Sequence, residues 1–170
     1  MRFDLRSHPV RARLWSIGVA SLLAATGCGH GASGGAGGLP QGIDATAGSY
    51  SGVYAQSHAG DSCCWVAKSA RFKVPVPAGS TKLAFKFFVP NGVGDYDRMP
   101  ADVTIAVAGG PSTRRDHLGP GMATIIVPLA GATIPQSGAD VTMTMGRTFI
   151  PPGGPPEAPI SVILLSVTPS

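Results

Sequence analysis

The chain has 170 residues, of which 24 are glycine and 16 are proline. The combined share of these two residue types is about twice that of an average protein, which favours turns over long helices. With 44% apolar and 13% charged residues it is not a disordered polyelectrolyte, and its length excludes a large multidomain enzyme. The net charge of +4 falls to +1 beyond residue 13, because four of the 13 basic residues and one of the nine acidic ones precede that point. Phosphate binding needs clustered cations, so we expect no nucleic-acid partner.

The N-terminus has the pattern of a secretion signal. Residues 1–13 are cationic, and Leu14–Thr26 form an apolar stretch of 13 residues. That length fits the apolar region of a signal peptide and falls short of the ~20 residues that span a bilayer. We predict a signal peptide over residues 1–27, a flexible Gly-rich tether over 28–47 and one folded domain over 48–170.

From residue 48 onward the apolar residues recur with the period of two that is typical of strands. Alternation predicts strands at Ser51–Ala55, Ser69–Val74, Lys82–Val89, Val103–Val107 and Val141–Met145. Two further runs are apolar on both faces, as expected for strands covered on both sides: Met122–Leu129 and Ile160–Val167. Turns rich in Pro and Gly separate these segments. The pattern therefore predicts an all-β chain, a single antiparallel β-sandwich of seven to eight strands.

The boundary of the apolar stretch carries a first resemblance. Small residues followed by a cysteine, Ala25–Cys28, resemble the bacterial lipobox. The resemblance implies that the Cys28 sulfur receives a diacylglycerol and that Cys28 becomes the new N-terminus. The protein would then be a lipoprotein of the cell envelope, held at a membrane through the lipid on Cys28 and facing the periplasm or the cell surface. The alternative is cleavage without lipidation and a secreted product.

The order of motifs along the body carries a second resemblance. Trp65 precedes a predicted strand, and a Pro-x-Pro-x-Gly turn, Pro75–Gly79, follows that strand. Two central strands come next, at Val103–Gly109 and Gly121–Leu129. An Arg-x-Phe-x-Pro motif, Arg147–Pro151, and an apolar strand, Ile160–Leu165, complete the order. Together they resemble jelly-roll domains of the galactose-binding-like, carbohydrate-binding-module type, including those carried beside bacterial glycosyltransferases. The resemblance implies a jelly roll that binds carbohydrate or polysaccharide without catalysis.

Aromatic and arginine side chains are the candidates for such binding. The rings of Trp65, Tyr54 and Tyr96 can offer flat surfaces on which a sugar stacks. Arg98 and Arg147 are candidate hydrogen-bond donors. Each aromatic residue also has an ordinary interpretation, which is packing in the sandwich for the Trp and packing in loops or at edges for the tyrosines.

Cys63 and Cys64 are adjacent, which leaves two interpretations open. They are either free thiols, at least one of them buried at the start of a strand, or partners in a vicinal disulfide. A disulfide between neighbours closes almost no loop, so its entropic benefit would be small. It would, however, present a rigid apolar plate beside Trp65.

Metal and catalytic patterns are weak. Asp95, Asp97 and Asp102 could supply oxygen donors for a structural calcium ion, but a solvated turn explains the same spacing, so we expect no metal site and no cofactor. The chain lacks Gly-x-Ser-x-Gly and His-Glu-x-x-His motifs, and Glu157 is its sole glutamate. We therefore expect no enzyme activity. The alternative to carbohydrate binding is a structural or adaptor module that binds another envelope protein through an apolar sheet face or an exposed edge.

Overall fold

The structure is a computed structural model that describes residues 38–46, 48–55, 63–91, 101–150 and 159–170. Within these ranges the chain forms strands and no helix, which confirms the predicted all-β class. The strands are β1 Tyr50–Val53, β2 Trp65–Val74, β3 Lys82–Val89, β4 Ala101–Val107, β5 Ser112–Leu118, β6 Gly121–Pro128, β7 Ala139–Met145 and β8 Ile160–Pro169. In this described part, no helix is present that is long and apolar enough to cross a membrane.

The strands form two antiparallel layers that share β2. The C-terminal half of β2 pairs with β7, and β4 and β5 continue that layer. The N-terminal end of β2 pairs with β8, and β3 and β6 continue the second layer. The strand order is β5-β4-β7-β2-β8-β3-β6, and β1 also pairs with β2. The two strands at the ends of this order, β5 and β6, contact each other. The arrangement is nearly barrel-like, and it is consistent with the predicted β-sandwich of jelly-roll type.

Alternation decides which side chains enter the core between the layers. In β3, four alternate residues are fully buried, whereas the two lysines of the strand, Lys82 and Lys86, lie on its other face and are exposed. Phe85 stacks on Phe87 with ring centroids 6.4 Å apart and approaches Phe72 of β2 at 6.5 Å. Each fully buried Phe side chain contributes about 1.5–3 kcal/mol of transfer free energy. The centre of the core is therefore aromatic and is built around β3.

The segment before β1 packs against this core. Ile43 is buried, Gln41 forms a parallel bridge with Ser166 of β8, and the Asp44 amide donates to the Lys73 carbonyl at 2.9 Å. These contacts make residues 38–46 part of the packed domain, ahead of the predicted start at residue 48.

Two strands differ from the sequence-based prediction. β5 was not predicted, because its sequence lacks apolar alternation; it is an outer strand in which only Leu118 is buried. The prediction that β6 is covered on both faces is wrong. β6 is the outer strand of its layer and leaves Met122 57% and Ile126 48% exposed. The same prediction is confirmed for β8, which lies between β2 and β3 and is buried from Ile160 to Leu164.

Candidate functional site

A row of large side chains crosses the outer face of the β8-β3-β6 layer. The Tyr54 amide donates to the Trp65 carbonyl at 2.9 Å, and Trp65 lies opposite Ile163 of β8. Ile163 in turn lies opposite Phe88 of β3, which lies opposite Met122 of β6. Residues directly opposed in antiparallel strands carry their side chains to the same face. We call Tyr54, Trp65, Ile163, Phe88 and Met122 the apolar row.

The apolar row points away from the core and is accessible at its two ends. The chain neighbours of its members lie on the inner face and are buried: Val53, Val66, Leu164 and Phe87. Tyr54 is 40% exposed and Trp65 is half-buried at one end. Ile163, in the middle, is buried, whereas Phe88 and Met122 at the other end are exposed. The row therefore offers an aromatic end, formed by Tyr54 and Trp65, and a separate apolar end.

Phe149 orients the indole ring of Trp65. The two rings meet edge to face, with centroids 5.6 Å apart and an interplanar angle of 81°. Phe149 is itself held by two backbone hydrogen bonds with Ile160, of 2.8 and 2.9 Å, at the start of β8. Edge-to-face packing is a preferred aromatic geometry that fixes ring orientation. Phe149 belongs to the Arg-x-Phe-x-Pro motif, but no pattern in the sequence predicts its contact with Trp65.

A disulfide joins Cys63 and Cys64 immediately before Trp65. Their Cα atoms are 3.0 Å apart, and the peptide bond between them is cis. Cys64 is buried and exchanges two backbone hydrogen bonds with Leu164, whereas Cys63 is half-buried. The two sulfurs lie 3.3 and 3.4 Å from the Gly38 carbonyl oxygen. The disulfide thus packs against the core and the Gly38 carbonyl, in the two residues that directly precede Trp65.

The other predicted binding residues do not belong to the apolar row. Arg147 is half-buried and lies two residues before Phe149 in the chain. Tyr96, Arg98 and the predicted lipidation site Cys28 lie outside the described residues. Of the predicted sugar-binding set, the structure therefore joins Trp65 and Tyr54, through a backbone hydrogen bond.

Asp102 belongs to a polar cluster in the other layer. Its Oδ2 lies 3.6 Å from Nη2 of Arg114, and its Oδ1 accepts a hydrogen bond from the His117 amide at 3.2 Å. The Arg114 Nε also donates to Asp116 at 2.5 Å, and this hydrogen bond, together with the charges of both aspartates, raises the pKa of Arg114. Exposed ion pairs of this kind contribute little to stability. The other two aspartates of the predicted loop, Asp95 and Asp97, lie outside the described residues.

Residues 38–46, 48–55, 63–91, 101–150 and 159–170 contain no group of three or more His, Cys, Asp or Glu side chains that could hold a metal ion. A shallow cavity of about 410 Å³ lies between the turns 76–80 and 134–136, and no ionisable side chain lines it. The cavity adjoins the C-terminal end of β2, whereas Trp65 begins that strand.

No family model matches the chain, and no curated protein or solved structure matches it either. The aromatic end of the apolar row, with the neighbouring disulfide, is therefore interpreted from its own residues.

Proposed function

We propose that the protein is a non-catalytic module of the bacterial cell envelope whose β-sandwich binds carbohydrate or polysaccharide at Tyr54 and Trp65. The observation that carries the proposal is the hydrogen bond of 2.9 Å between the Tyr54 amide and the Trp65 carbonyl. It sets the two residues side by side on the outer face, at the roughly 4.8 Å spacing of neighbouring strands. Two adjacent aromatic side chains can pack against the C–H groups of a pyranose face.

The surroundings of the two rings suit this role. Aromatic rings combine a large rigid apolar surface with a polar tip, so the tyrosine hydroxyl and the indole N–H can bond to sugar hydroxyls at the edge of the contact. Phe149 holds the indole in place before a ligand arrives, which lowers the entropic cost of binding. Arg147, Tyr96 and Arg98 are further candidates for contacts to the same ligand.

The envelope location belongs to the same proposal and is supported by the sequence. A cationic segment, a 13-residue apolar stretch and Ala25–Cys28 stand in the order of a lipoprotein signal. The lipid on Cys28 would hold the domain at a membrane, facing the periplasm or the cell surface. Without lipidation the same module would be secreted.

Affinity gel electrophoresis against soluble β-glucan, α-glucan, galactan and mannan tests the carbohydrate proposal. We expect at least one polysaccharide to retard the protein, and Trp65→Ala and Tyr54→Ala each to weaken binding about tenfold or more, because each removes a stacking surface. Phe88→Ala is the matched control, since it removes an exposed ring from the far end of the same row. Circular dichroism of each variant checks that the fold is intact.

The same experiment separates the two candidate functions. If no polysaccharide retards the protein and one envelope protein co-purifies with it, the carbohydrate proposal is wrong and the adaptor function takes its place. Equal weakening by Phe88→Ala and Trp65→Ala would also contradict a site centred on Tyr54 and Trp65.

A further inference from the structure

The outer surface of β3 and β6 combines exposed apolar side chains with exposed lysines. Phe88, Met122 and Ile126 are 37%, 57% and 48% exposed. Lys82 and Lys86 are exposed on the same side of β3. We call these five residues the β3–β6 face. It begins at the apolar end of the row and extends along both strands away from Trp65.

The register orders this face into alternating bands. Phe88 lies opposite Met122, and Ile126 lies opposite Ala84 four residue pairs further along. Lys86, opposite Thr124, lies between those two apolar pairs, and Lys82, opposite Pro128, lies beyond them. Each step of two residues advances about 6.8 Å along a strand, so the two ammonium groups start from backbone positions about 13–14 Å apart. The face therefore carries cations within and beside an apolar surface.

The strands of this layer supply no acidic side chain to pair with the two lysines. The sequences of β3, β6 and β8 contain no Asp or Glu. Ion pairs of the described residues join Lys73 to Asp140 and Arg114 to Asp102 and Asp116, all in the other layer. A complementary surface would have to be both anionic and able to accept apolar side chains. A bilayer containing anionic lipids has both properties, since lysine stems can lie along apolar groups while their ammonium groups reach the phosphates.

A lipid on Cys28 would keep the described domain close to a membrane. Here the argument rests on the proposed lipid anchor at Cys28. Nine residues lie between Cys28 and Gly38, so the tether spans at most about 35 Å. The described segment that follows is fixed to β8 of the same layer, because Gln41 bridges Ser166 and the Val167 amide donates to the Gln41 carbonyl at 2.8 Å.

We propose that the β3–β6 face docks on the surface of a membrane that contains anionic lipids. Met122, Ile126 and Phe88 enter the boundary between headgroups and acyl chains, and Lys82 and Lys86 contact lipid phosphates. The contact gives the lipid-anchored domain a fixed orientation, with the β3–β6 end of the apolar row towards the bilayer. Carbohydrate binding at Tyr54 and Trp65 is a separate property, so failure of the affinity-gel test would leave this proposal unchanged.

A pair of threonines allows a matched test of which face meets the membrane. Thr124 of β6 points outward on the β3–β6 face, and Thr144 of β7 points outward on the other layer; both are exposed. Thr124→Cys and Thr144→Cys are each placed in the mature chain, residues 28–170, carrying Cys28→Ala, because the cationic and apolar leader would itself bind anionic vesicles. Since Cys63 and Cys64 are joined to each other, the added cysteine is the only free thiol and takes a polarity-sensitive fluorophore. Each labelled protein is mixed with vesicles of phosphatidylcholine, with or without phosphatidylglycerol.

We expect a blue shift of the label at position 124 with vesicles that contain phosphatidylglycerol, and no shift at position 144. Each lysine near an anionic membrane surface raises the binding constant about fivefold. The double variant Lys82→Gln with Lys86→Gln therefore lowers the ratio of docked to undocked protein about 25-fold. The control, Lys68→Gln with Arg71→Gln, removes the same charge from exposed positions outside the face and leaves the shift in place. High salt acts like the lysine substitutions.

Four results would overturn the proposal. They are no shift at position 124, equal shifts at both positions, an undiminished shift without phosphatidylglycerol, and a shift that survives the lysine substitutions. A shift at position 124 that grows with protein concentration in the absence of vesicles would show instead that a second copy of the chain covers the face. Circular dichroism of the labelled proteins excludes unfolding as the cause of a lost signal.

Discussion

At the scale of single residues, Gly52 links the backbone of β1 to the candidate site. It has a φ of +69° and lies in the irregular register between Ser51 and Val53. A Cβ at this position would collide with the Ser69 carbonyl oxygen. The irregularity lies two residues before Tyr54, so the path of the chain at Gly52 helps to place Tyr54 opposite Trp65.

Gly52→Ala tests this role against a matched glycine. We expect it to lower the free energy of unfolding by about 3 kcal/mol, since a left-handed backbone costs a non-glycine residue about 1–2 kcal/mol and the collision adds displacement of β2. Gly79→Ala, with a φ of +86° and nothing near its Cβ position, should cost only about 1–2 kcal/mol. Urea denaturation measures both values. If the two variants lose the same free energy of unfolding, the close approach of Gly52 to Ser69 does not affect stability.

The cysteine pair also belongs to the residue scale, and there the sequence left two alternatives. The spacing of Cys63 and Cys64 allowed either free thiols or a disulfide, because no local pattern determines whether neighbouring sulfurs bond. The disulfide that the structure contains joins residues one position apart. It closes almost no loop in the unfolded chain, so we attribute to it a local role beside Trp65 and little effect on overall stability.

At the scale of elements, β3 separates the core from the outer face most clearly. Phe85 is fully buried against Phe87 and Phe72, whereas Phe88 of the same strand is 37% exposed on the opposite side. Phe85→Ala should lower the free energy of unfolding by about 3–5 kcal/mol, because it removes a ring from a packed core. Phe88→Ala should cost about 1 kcal/mol. Chemical denaturation of the two variants compares them, and a loss for Phe88→Ala as large as that for Phe85→Ala would contradict the assigned faces.

Most elements could be predicted because their patterns are local. The bounds of β3 follow directly from its alternation, and β4, β7 and β8 were found within a few residues. β5 could not be found this way, because the sequence STRRDHL belongs to an outer strand with little to bury. The exposed face of β6 could not be predicted either, since its run of apolar residues resembles that of β8 and only position in the sheet distinguishes them.

The candidate site was predictable only in part, for a related reason. Trp65 and Tyr54 could be chosen as aromatic residues, but their contact depends on register between segments on either side of the disulfide. The apolar row joins residues as far apart in the chain as Tyr54 and Ile163. Such cross-strand neighbours come from tertiary pairing, which a period of two does not specify.

At the scale of the whole molecule, the two layers differ in the surfaces they turn outward. The β8-β3-β6 layer carries the apolar row and two lysines, Lys82 and Lys86, that form no ion pair with another described residue. The other layer presents mostly hydroxyl and charged side chains, with Thr144 opposite Thr104 and Ser69, and Arg71 opposite Thr142. A net charge near zero in the body of the chain conceals this asymmetry. Both proposals of ligand binding and membrane docking therefore concern one side of the molecule and leave the other facing solvent.

The proposed location of the whole molecule depends on Cys28 and can be tested independently of either surface. Bacteria expressing the full chain are labelled with radioactive palmitate, and we expect the label in the wild-type protein and its loss in Cys28→Ala, because only a lipidated cysteine incorporates the acyl chains. Cys63→Ser with Cys64→Ser is the matched control: it removes the other two cysteines and should keep the label. Label that persists in Cys28→Ala would place the lipid elsewhere. An unlabelled wild-type protein that is released into the medium would favour the secreted alternative. In that case the β3–β6 face would have to hold the domain at a membrane without a covalent lipid.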